Sequence, residues 1–527
     1  MRLLRPQFFA EDGLVFFQQL HDGGFWRTLV SPTAGYLNTV PRLVAGAALA
    51  LPLAWSPLVY AVAAFLVQAA PLGYLFSGRL RRHLPDRRLQ ALAAAVYVAV
   101  PNSYETYVTL TNIQWNLALV ALVILIAEPP AGRWAWVLEA AFLGVFSLTG
   151  PLCMILLPLA LFNVRSRWND AAKPWSIACA CVLAGGAAVQ ALLLVTTPRV
   201  TPWLRPEAPL SPQELMKILS VHVFYNSILG IRGTMRALPS LGGALQAAGM
   251  VAALLLALFV VVRRHRALVP LLLLAAATVF LSFLFPVSGL REWLQPGFGP
   301  RYYTYATLFI LYAVLLLVCQ NNFLRLAGVL LALPALGVGI PSDFIHVRRS
   351  DTAWPDQVAV FESLPQGASF FVPIQPLDYG GIELRKRTPE RAASPLAQAR
   401  KLEGRPACAA YPPALASSPL WGRRMFLRLS GWAADTESGK AAGGVWVVID
   451  DRPFPAIYGQ EDWSVETSLG DPRYRYTGFS RLIPLEEIGA GRHRLSLAVL
   501  THDRSGYYLV PGEDFNVSPY DLTFRGE

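Results

Sequence analysis

The chain runs to 527 residues, 54% of them hydrophobic and only 15% charged, where an ordinary soluble chain carries about 25% charge. That balance excludes a disordered chain, a coiled coil and a purely soluble enzyme. Lys and Arg outnumber Asp and Glu by 45 to 34, a net charge of +11; in a membrane protein such an excess gathers in cytoplasmic loops, so it does not point to nucleic acid.

Residues 1–38 are polar and aromatic, with adjacent carboxylates at Glu11 and Asp12 and neither a signal peptide nor a preceding apolar helix. Phe8, Phe9, Phe16, Phe17, Phe25 and Trp26 give this stretch an amphipathic, interfacial character. Thr39 to Leu53 is apolar but short. A bilayer crossing takes about 20 apolar residues, with shorter exceptions. Spans are expected near 57–77, 89–100, 114–127, 134–148, 151–163, 175–196, 243–262, 268–285, 303–319 and 326–340, so that 39–340 forms a polytopic bundle of about 10–11 spans.

Basic loops orient it. Arg79, Arg81, Arg82, Arg87 and Arg88 form one cluster, Arg165, Arg167 and Lys173 a second, and Arg263, Arg264 and Arg266 a third. The positive-inside rule makes these loops cytoplasmic. Segments 101–113, 197–242 and 286–302, and everything after residue 340, then face outward. For 1–38 to face outward too, 57–77 must cross and 39–53 must lie at the interface or insert in part. The alternative is a hairpin of 39–53 and 57–77, with the N-terminus cytoplasmic.

Beyond Ile340 no run is long enough to span. The stretch 341–424 reads as an extracytoplasmic connector with its own small packed piece, and 425–527 as a soluble all-β sandwich. Met425 to Leu429, Val445 to Ile449 and Arg494 to Leu500 are strand-like, and Asp435–Gly439, Asp450–Pro453, Gly470–Pro472, Gly489–Gly491 and Asp503–Gly506 are turn signals. Trp432 and Trp446 are expected in its core. Of the five cysteines only Cys408 lies in this tail, so it holds no internal disulfide.

The outward segments hold the residues that could carry chemistry. Glu11 and Asp12 could serve as a general base or a metal ligand; Asp12 before Gly13-Leu14-Val15 could equally start a helix. Asn102 and Glu105, then Asn112 and Gln114 at the mouth of a span, could bind sugar hydroxyls or bond neighbouring helices. Arg301, followed by Tyr302 and Tyr303, could grip a phosphate bidentately or snorkel within an aromatic belt. Arg42 could act like Arg301. His222 lies in the long outward loop, where a lone His is more often structural. Glu139 is read as intramembrane and could pair with Arg133.

With these residues in place, the chain resembles the GT-C superfamily of membrane glycosyltransferases. The resemblance rests on Glu11-Asp12 and the aromatic segment to Tyr36, on Asn112/Gln114 and Arg301-Tyr302-Tyr303, and on Gly431-Trp432-Ala433, Gly478-Phe479 and Gly491-Arg492-His493 in the tail. It implies a GT-C-like bundle and an enzyme of the bacterial cell membrane that moves a sugar from a polyprenyl-phosphate-linked donor to a glycan, lipid or protein acceptor. Asp12 would be the base, with Glu11 its partner or a ligand of a divalent cation. Arg301, Tyr302 and Arg42 would hold the donor phosphate, and Asn102, Glu105, Asn112, Gln114 and His222 the substrate. The family's first spanning helix should precede the acidic loop and is not seen here: either the start is truncated or the topology differs, and the second option would remove the Glu11/Asp12 assignment. A polyprenyl phosphate leaves without protonation, so one carboxylate suffices as base on the acceptor hydroxyl. Two rivals stand beside this reading: a transporter or flippase for lipid-linked sugars, expected to carry charges within its spans and an internal repeat, and a non-catalytic scaffold displaying the β domain.

Overall fold

The computed structural model describes residues 3–197, 210–237, 242–263, 265, 268–284, 290–321, 323–344, 350–376, 380–387, 395–404, 406–417 and 425–518. Arg264 and Arg266 of the third basic cluster lie outside them. Two compact units result: one of Leu29–Leu43 and Val62–Val347, the other of Met1–Thr28, Val44–Ala61 and Arg348–Glu527. This division differs from the four ranges read from the sequence, because the N-terminal segment groups with the C-terminal sheets.

The first unit is helical. Each expected span coincides with a helix, from Ser56–Phe76 and Arg87–Val98 to Thr304–Val318 and Phe323–Pro334. Among the described residues five helices are long and apolar enough to cross a membrane: Leu53–Phe76, Lys173–Thr196, Gly243–Val262, Pro300–Val318 and Phe323–Phe344. Thr39–Leu49, Ile113–Ile126, Leu152–Ser166 and Leu268–Leu284 are apolar but shorter. At about 1.5 Å per residue, a helix of 14 residues covers about 21 Å of a hydrocarbon core about 30 Å thick. By length, five of the expected spans meet that thickness on their own.

Burial separates inner from outer helices. Ile113–Ile126 is apolar all round and buried along nearly its whole length. Tyr305 of Thr304–Val318 donates its hydroxyl to the Trp115 carbonyl at 2.6 Å, tying two inner helices together. Gly243–Val262 instead exposes Val251, Leu254, Leu255, Leu258, Val261 and Val262. Their spacing of three, four and seven makes one continuous apolar stripe, the kind of face that lipid rather than water solvates. Lys173–Thr196 reaches Arg133–Ser147 through Gly186, where an added Cβ would lie 2.1 Å from Ser147 Oγ.

Glu139 pairs with Arg79, not Arg133. The guanidinium binds both carboxylate oxygens, Nη2 to Oε2 at 3.1 Å, and Tyr74 donates to Oε1 at 2.7 Å. Arg133 is six residues before Glu139, which puts it on another face of the same helix; Arg79 comes from the turn after Ser56–Phe76.

The second unit is β-rich. One sheet runs Ile457–Gln460, Gly478–Pro484, Met425–Asp435 and Ala407–Ala410, with Ala414–Ser417 and Lys440–Ala441 also on Met425–Asp435. The other runs Arg400–Leu402, Gly506–Pro511, Leu495–Leu500, Gly444–Ile449 and Arg452–Pro455. All pairings are antiparallel except that of Arg400–Leu402 with Gly506–Tyr508. Trp432 and Trp446 are buried, as expected of core residues. The stretch 341–424 contributes Arg400–Leu402, Ala407–Ala410 and Ala414–Ser417. Its strands of three and four residues, too short to show a period of two, complete both C-terminal sheets. Ser369–Pro373 and Gly381–Arg385 form a further antiparallel pair.

Met1–Thr28 groups with this unit. Phe9 bridges Gln375 in parallel, and Ala10 N–H donates to the Gln375 carbonyl at 2.6 Å. Gln18 bonds both ways with the backbone of Glu383, each at 2.8 Å. Phe8 meets Trp354 edge-on at 4.9 Å and Phe17 at 4.9 Å. Phe8, Phe16 and Phe17 are buried; Trp26 is exposed. Aromatic content alone does not distinguish an interfacial face from a core face whose partners lie some 360 residues away in the chain.

Candidate functional site

The residues singled out above fall into two groups. Glu11 and Asp12 belong to the β-rich unit; Arg42, Asn102, Glu105, Asn112, Gln114, His222, Arg301 and Tyr302 belong to the helical unit.

Asp12 opens a π-helical turn, Asp12–Phe17, and is buried; Glu11 is half-buried and precedes the turn without capping it through its side chain. Gly13 follows because a Cβ there would fall 2.9 Å from Ile382 Cδ1. The Asp12 carboxylate lies in the first turn, where helix dipoles favour negative charge. Asp12 is thus the first residue of the turn rather than its cap. Single-turn π segments concentrate at functional sites, and a second one holds His222. Among the described residues no three His, Cys, Asp or Glu side chains gather in a way that would hold a metal ion.

In the helical unit the polar segment 101–112 positions Glu105. Asn102 adopts φ 61°, a left-handed conformation that Asn tolerates better than most residues. Its backbone N–H bonds the Asp343 carboxylate and its Nδ2 donates to the Asn226 carbonyl at 2.7 Å. Thr109 Oγ1 and Asn112 Nδ2 both donate to the Glu105 carbonyl, at 2.6 and 3.0 Å. The amides of Asn102 and Asn112 thus bond backbone, the helix-bonding alternative for these residues. Gln114 is half-buried, and its Oε1 lies where a Cβ on Gly150 would be, 1.8 Å away.

Opposite stands Arg301. Gly299 takes a left-handed φ of 59°, and Pro300 then starts the 3-10 turn Pro300–Tyr303 that leads into Thr304–Val318. Arg301 Nη1 donates to Glu105 Oε2 at 2.9 Å, with side-chain exposures of 26% and 16%. The guanidinium lies 4.8 Å from the Tyr302 ring centroid. Trp293 stacks on Tyr302 at 5.3 Å and Trp115 meets it edge-on at 5.4 Å. Arg301 therefore rests on a fixed aromatic floor, braced by one carboxylate and reached by water. Around that floor the Trp115 and Trp293 indole N–H groups and the Tyr303 hydroxyl are buried without a hydrogen-bond partner among the described residues, an arrangement that marks a polar ligand or water site more often than a dry core.

His222 is not in a loop. It sits in the π segment Ser220–Tyr225 between Pro212–Leu219 and Asn226–Ala237. It is buried and stacks on Tyr303 at 4.5 Å. Nε2 lies 2.8 Å from the Trp293 carbonyl and so must donate to it. Nδ1 is left to accept from Asn226 Nδ2 at 3.4 Å. Burial holds the imidazole pKa down to about 4, so the ring is neutral. It fixes Trp293, the slab beneath Tyr302, rather than offering a charge. Arg42 is fully buried, with Nη2 on Thr33 Oγ1 at 2.7 Å. The structure thus brings together Arg301, Tyr302 and Glu105, with Asn102, Asn112 and His222 as supports, and sets Arg42 apart. Sequence reading gave no role to Trp115 and Trp293; the available signal was one tryptophan at the mouth of a span and one in the outward segment 286–302.

Comparison with family models, with curated proteins and with solved structures finds no match to this chain.

Proposed function

We propose that the chain is a GT-C-type membrane glycosyltransferase that moves a sugar from a polyprenyl-phosphate-linked donor to a glycan, lipid or protein acceptor at the outer face of a bacterial cell membrane. The observation that carries this reading is Arg301: a guanidinium at the head of the helix Pro300–Val318, clamped between Glu105 and the Tyr302 ring and partly open to water. Such a cation at a bilayer boundary suits a phosphate whose lipid tail runs beside the span and whose charge grows as the glycosyl bond breaks. Glu105 holds the fork in one orientation, which lowers the reorganisation that binding requires. The resemblance assigns the base on the acceptor hydroxyl to Asp12, with Glu11 beside it. The two larger sheets are read as the layers of a β-sandwich. The transport rival drew on Glu139, but Arg79 and Tyr74 neutralise and hold that carboxylate, which favours a structural role.

The test is transfer of radiolabelled sugar from a panel of polyprenyl-phosphate donors in membranes. Arg301→Ala and Asp12→Asn should abolish transfer at unchanged expression, and Arg301→Lys should recover only part of it, since an ammonium cannot reproduce the fork. Transfer that survives both substitutions removes the reading.

A further inference from the structure

We propose that the β-rich unit carries a separate glycan-binding site in which one pyranose ring stacks on Trp463. This stands on that unit alone and does not depend on the transferase reading.

Trp463 opens the helix Trp463–Leu469 and is 60% exposed. The core does not need it: Val465, two residues on, is fully buried against Trp432 and Tyr474 and anchors the helix to the sheet. The indole is nevertheless held in place. Arg475 Cζ lies 3.2 Å from its ring centroid, covering one face. Arg475 is itself tied to Glu461 by an ion pair, and its backbone carbonyl accepts from Asp462 N–H at 2.8 Å. The exposure that remains must come from the other face and the ring edge. An immobilised, outward indole face is a flat apolar platform of the size of a sugar ring.

The chain neighbours of Trp463, Asp462 and Ser464, form a polar network with Tyr411. Asp462 Oδ2 accepts from Tyr411 Oη at 2.7 Å, and Oδ1 from Ser464 N–H at 3.0 Å and Ser464 Oγ at 2.6 Å. Tyr411 and Ser464 hydroxyls stand 2.9 Å apart. Two hydroxyls, and a carboxylate with about four lone-pair positions, match the dense hydroxyls of a sugar. The same network disfavours the other partners of an exposed Trp. Asp462 and Glu461 repel nucleic-acid phosphates and anionic lipid, and burying them in a bilayer headgroup region would cost desolvation.

The full chain in detergent should be presented to an array of neutral oligosaccharides. At least one should bind, with affinity falling about tenfold or more in Trp463→Ala, as for loss of other aromatic stacking platforms. Asp462→Asn should weaken it less, and Trp463→Phe should restore part. Trp168→Ala should leave binding unchanged: Trp168 is also exposed and under a cation, Lys173 at 3.5 Å, but lies in the helical unit. No binding across the array, or binding that survives Trp463→Ala, overturns the proposal. So does association with phosphatidylglycerol-containing vesicles that Trp463→Ala removes, which would assign the indole to the membrane.

Discussion

Two arginines, one in each unit, show how the same side chain takes opposite roles. Arg481 in the β-rich unit is fully enclosed between Phe370 and Phe454. Its donors go to neutral acceptors: Gln357 Oε1 at 2.9 Å, the Pro455 carbonyl at 3.2 Å and the Phe371 carbonyl at 2.6 Å. Those partners come from a helix and two separate strands, so the guanidinium works as a four-way tie. Arg301 in the helical unit has a charged partner in Glu105, an aromatic floor and a quarter of its side-chain surface exposed. A buried fork bonded to backbone and amide oxygens holds a fold; a half-open fork beside a carboxylate has the form of a recognition group.

The largest effect should follow loss of the enclosed arginine. Arg481→Ala strands the Phe371 and Gln357 oxygens in a dry core and opens a cavity between two phenyl rings, at a cost of about 3–5 kcal/mol. The expected readout is a large drop in the unfolding midpoint of the detergent-solubilised chain, with protection against hydrogen exchange lost first in Gly444–Ile449 and Gly478–Pro484. A midpoint within a degree or two of the parent would break the contrast. Arg301→Ala should do the reverse: sugar transfer falls by about a hundredfold or more, the size of losing one preorganised donor, while the midpoint holds. Glu105→Gln keeps shape but removes the countercharge. It should lower transfer less than Arg301→Ala, and parity between the two would mean that Glu105 itself takes part in the reaction.

The next effect concerns His222. Its folded pKa of about 4 lies below the ordinary 6.5. Above pH 6.5 the neutral ring contributes fully. As pH falls from 6.5 towards 4, the unfolded chain takes a proton that the folded chain refuses, and stability drops, by about 2 kcal/mol at pH 5. Unfolding midpoints measured between pH 7 and 5 should show this loss. His222→Gln, whose amide N–H can still reach the Trp293 carbonyl, should flatten the profile. An unchanged profile would mean that the imidazole is wetter than its burial implies.

What was legible in the sequence follows from the range of the forces involved. Helices at the expected spans announced themselves because an apolar run of fifteen or more residues has few other uses, and strands such as Val445 to Ile449 because β-branched residues cluster there. Trp432 and Trp446 were readable as core for the same reason. The placement of the N-terminal segment was not, since Phe9 on Gln375 and Gln18 on Glu383 join positions more than 360 apart. At the candidate site Arg301 and Tyr302 were visible as an Arg-Tyr pair entering a span. Their brace was not: Glu105 is 196 residues away, and only folding brings it to 2.9 Å. Length also sets a limit, because short apolar helices share a composition with spanning ones.

The smallest expected effect tests a signal that was present and passed over. The segment 197–242 was read as a loop, yet Ser211-Pro212-Gln213-Glu214 has the spacing of a capping box. In the structure Ser211 Oγ accepts from Glu214 N–H at 3.2 Å, Glu214 Oε2 accepts from Ser211 N–H at 2.8 Å, and the helix Pro212–Leu219 begins there with Pro at its first position. The helix is eight residues long, too short to persist by propensity, so the cap and the buried Ile218 together decide whether it forms. It runs directly into the π segment that holds His222, and from there to Trp293. Ser211→Ala should therefore lower stability by about 1 kcal/mol and raise hydrogen exchange across Pro212–Leu219 without moving the His222 profile. If the exchange change spreads to Ser220–Tyr225 and transfer falls with it, the cap is part of what holds the aromatic floor under Arg301, and the boundary between supporting helix and site lies one turn further back than the distances imply.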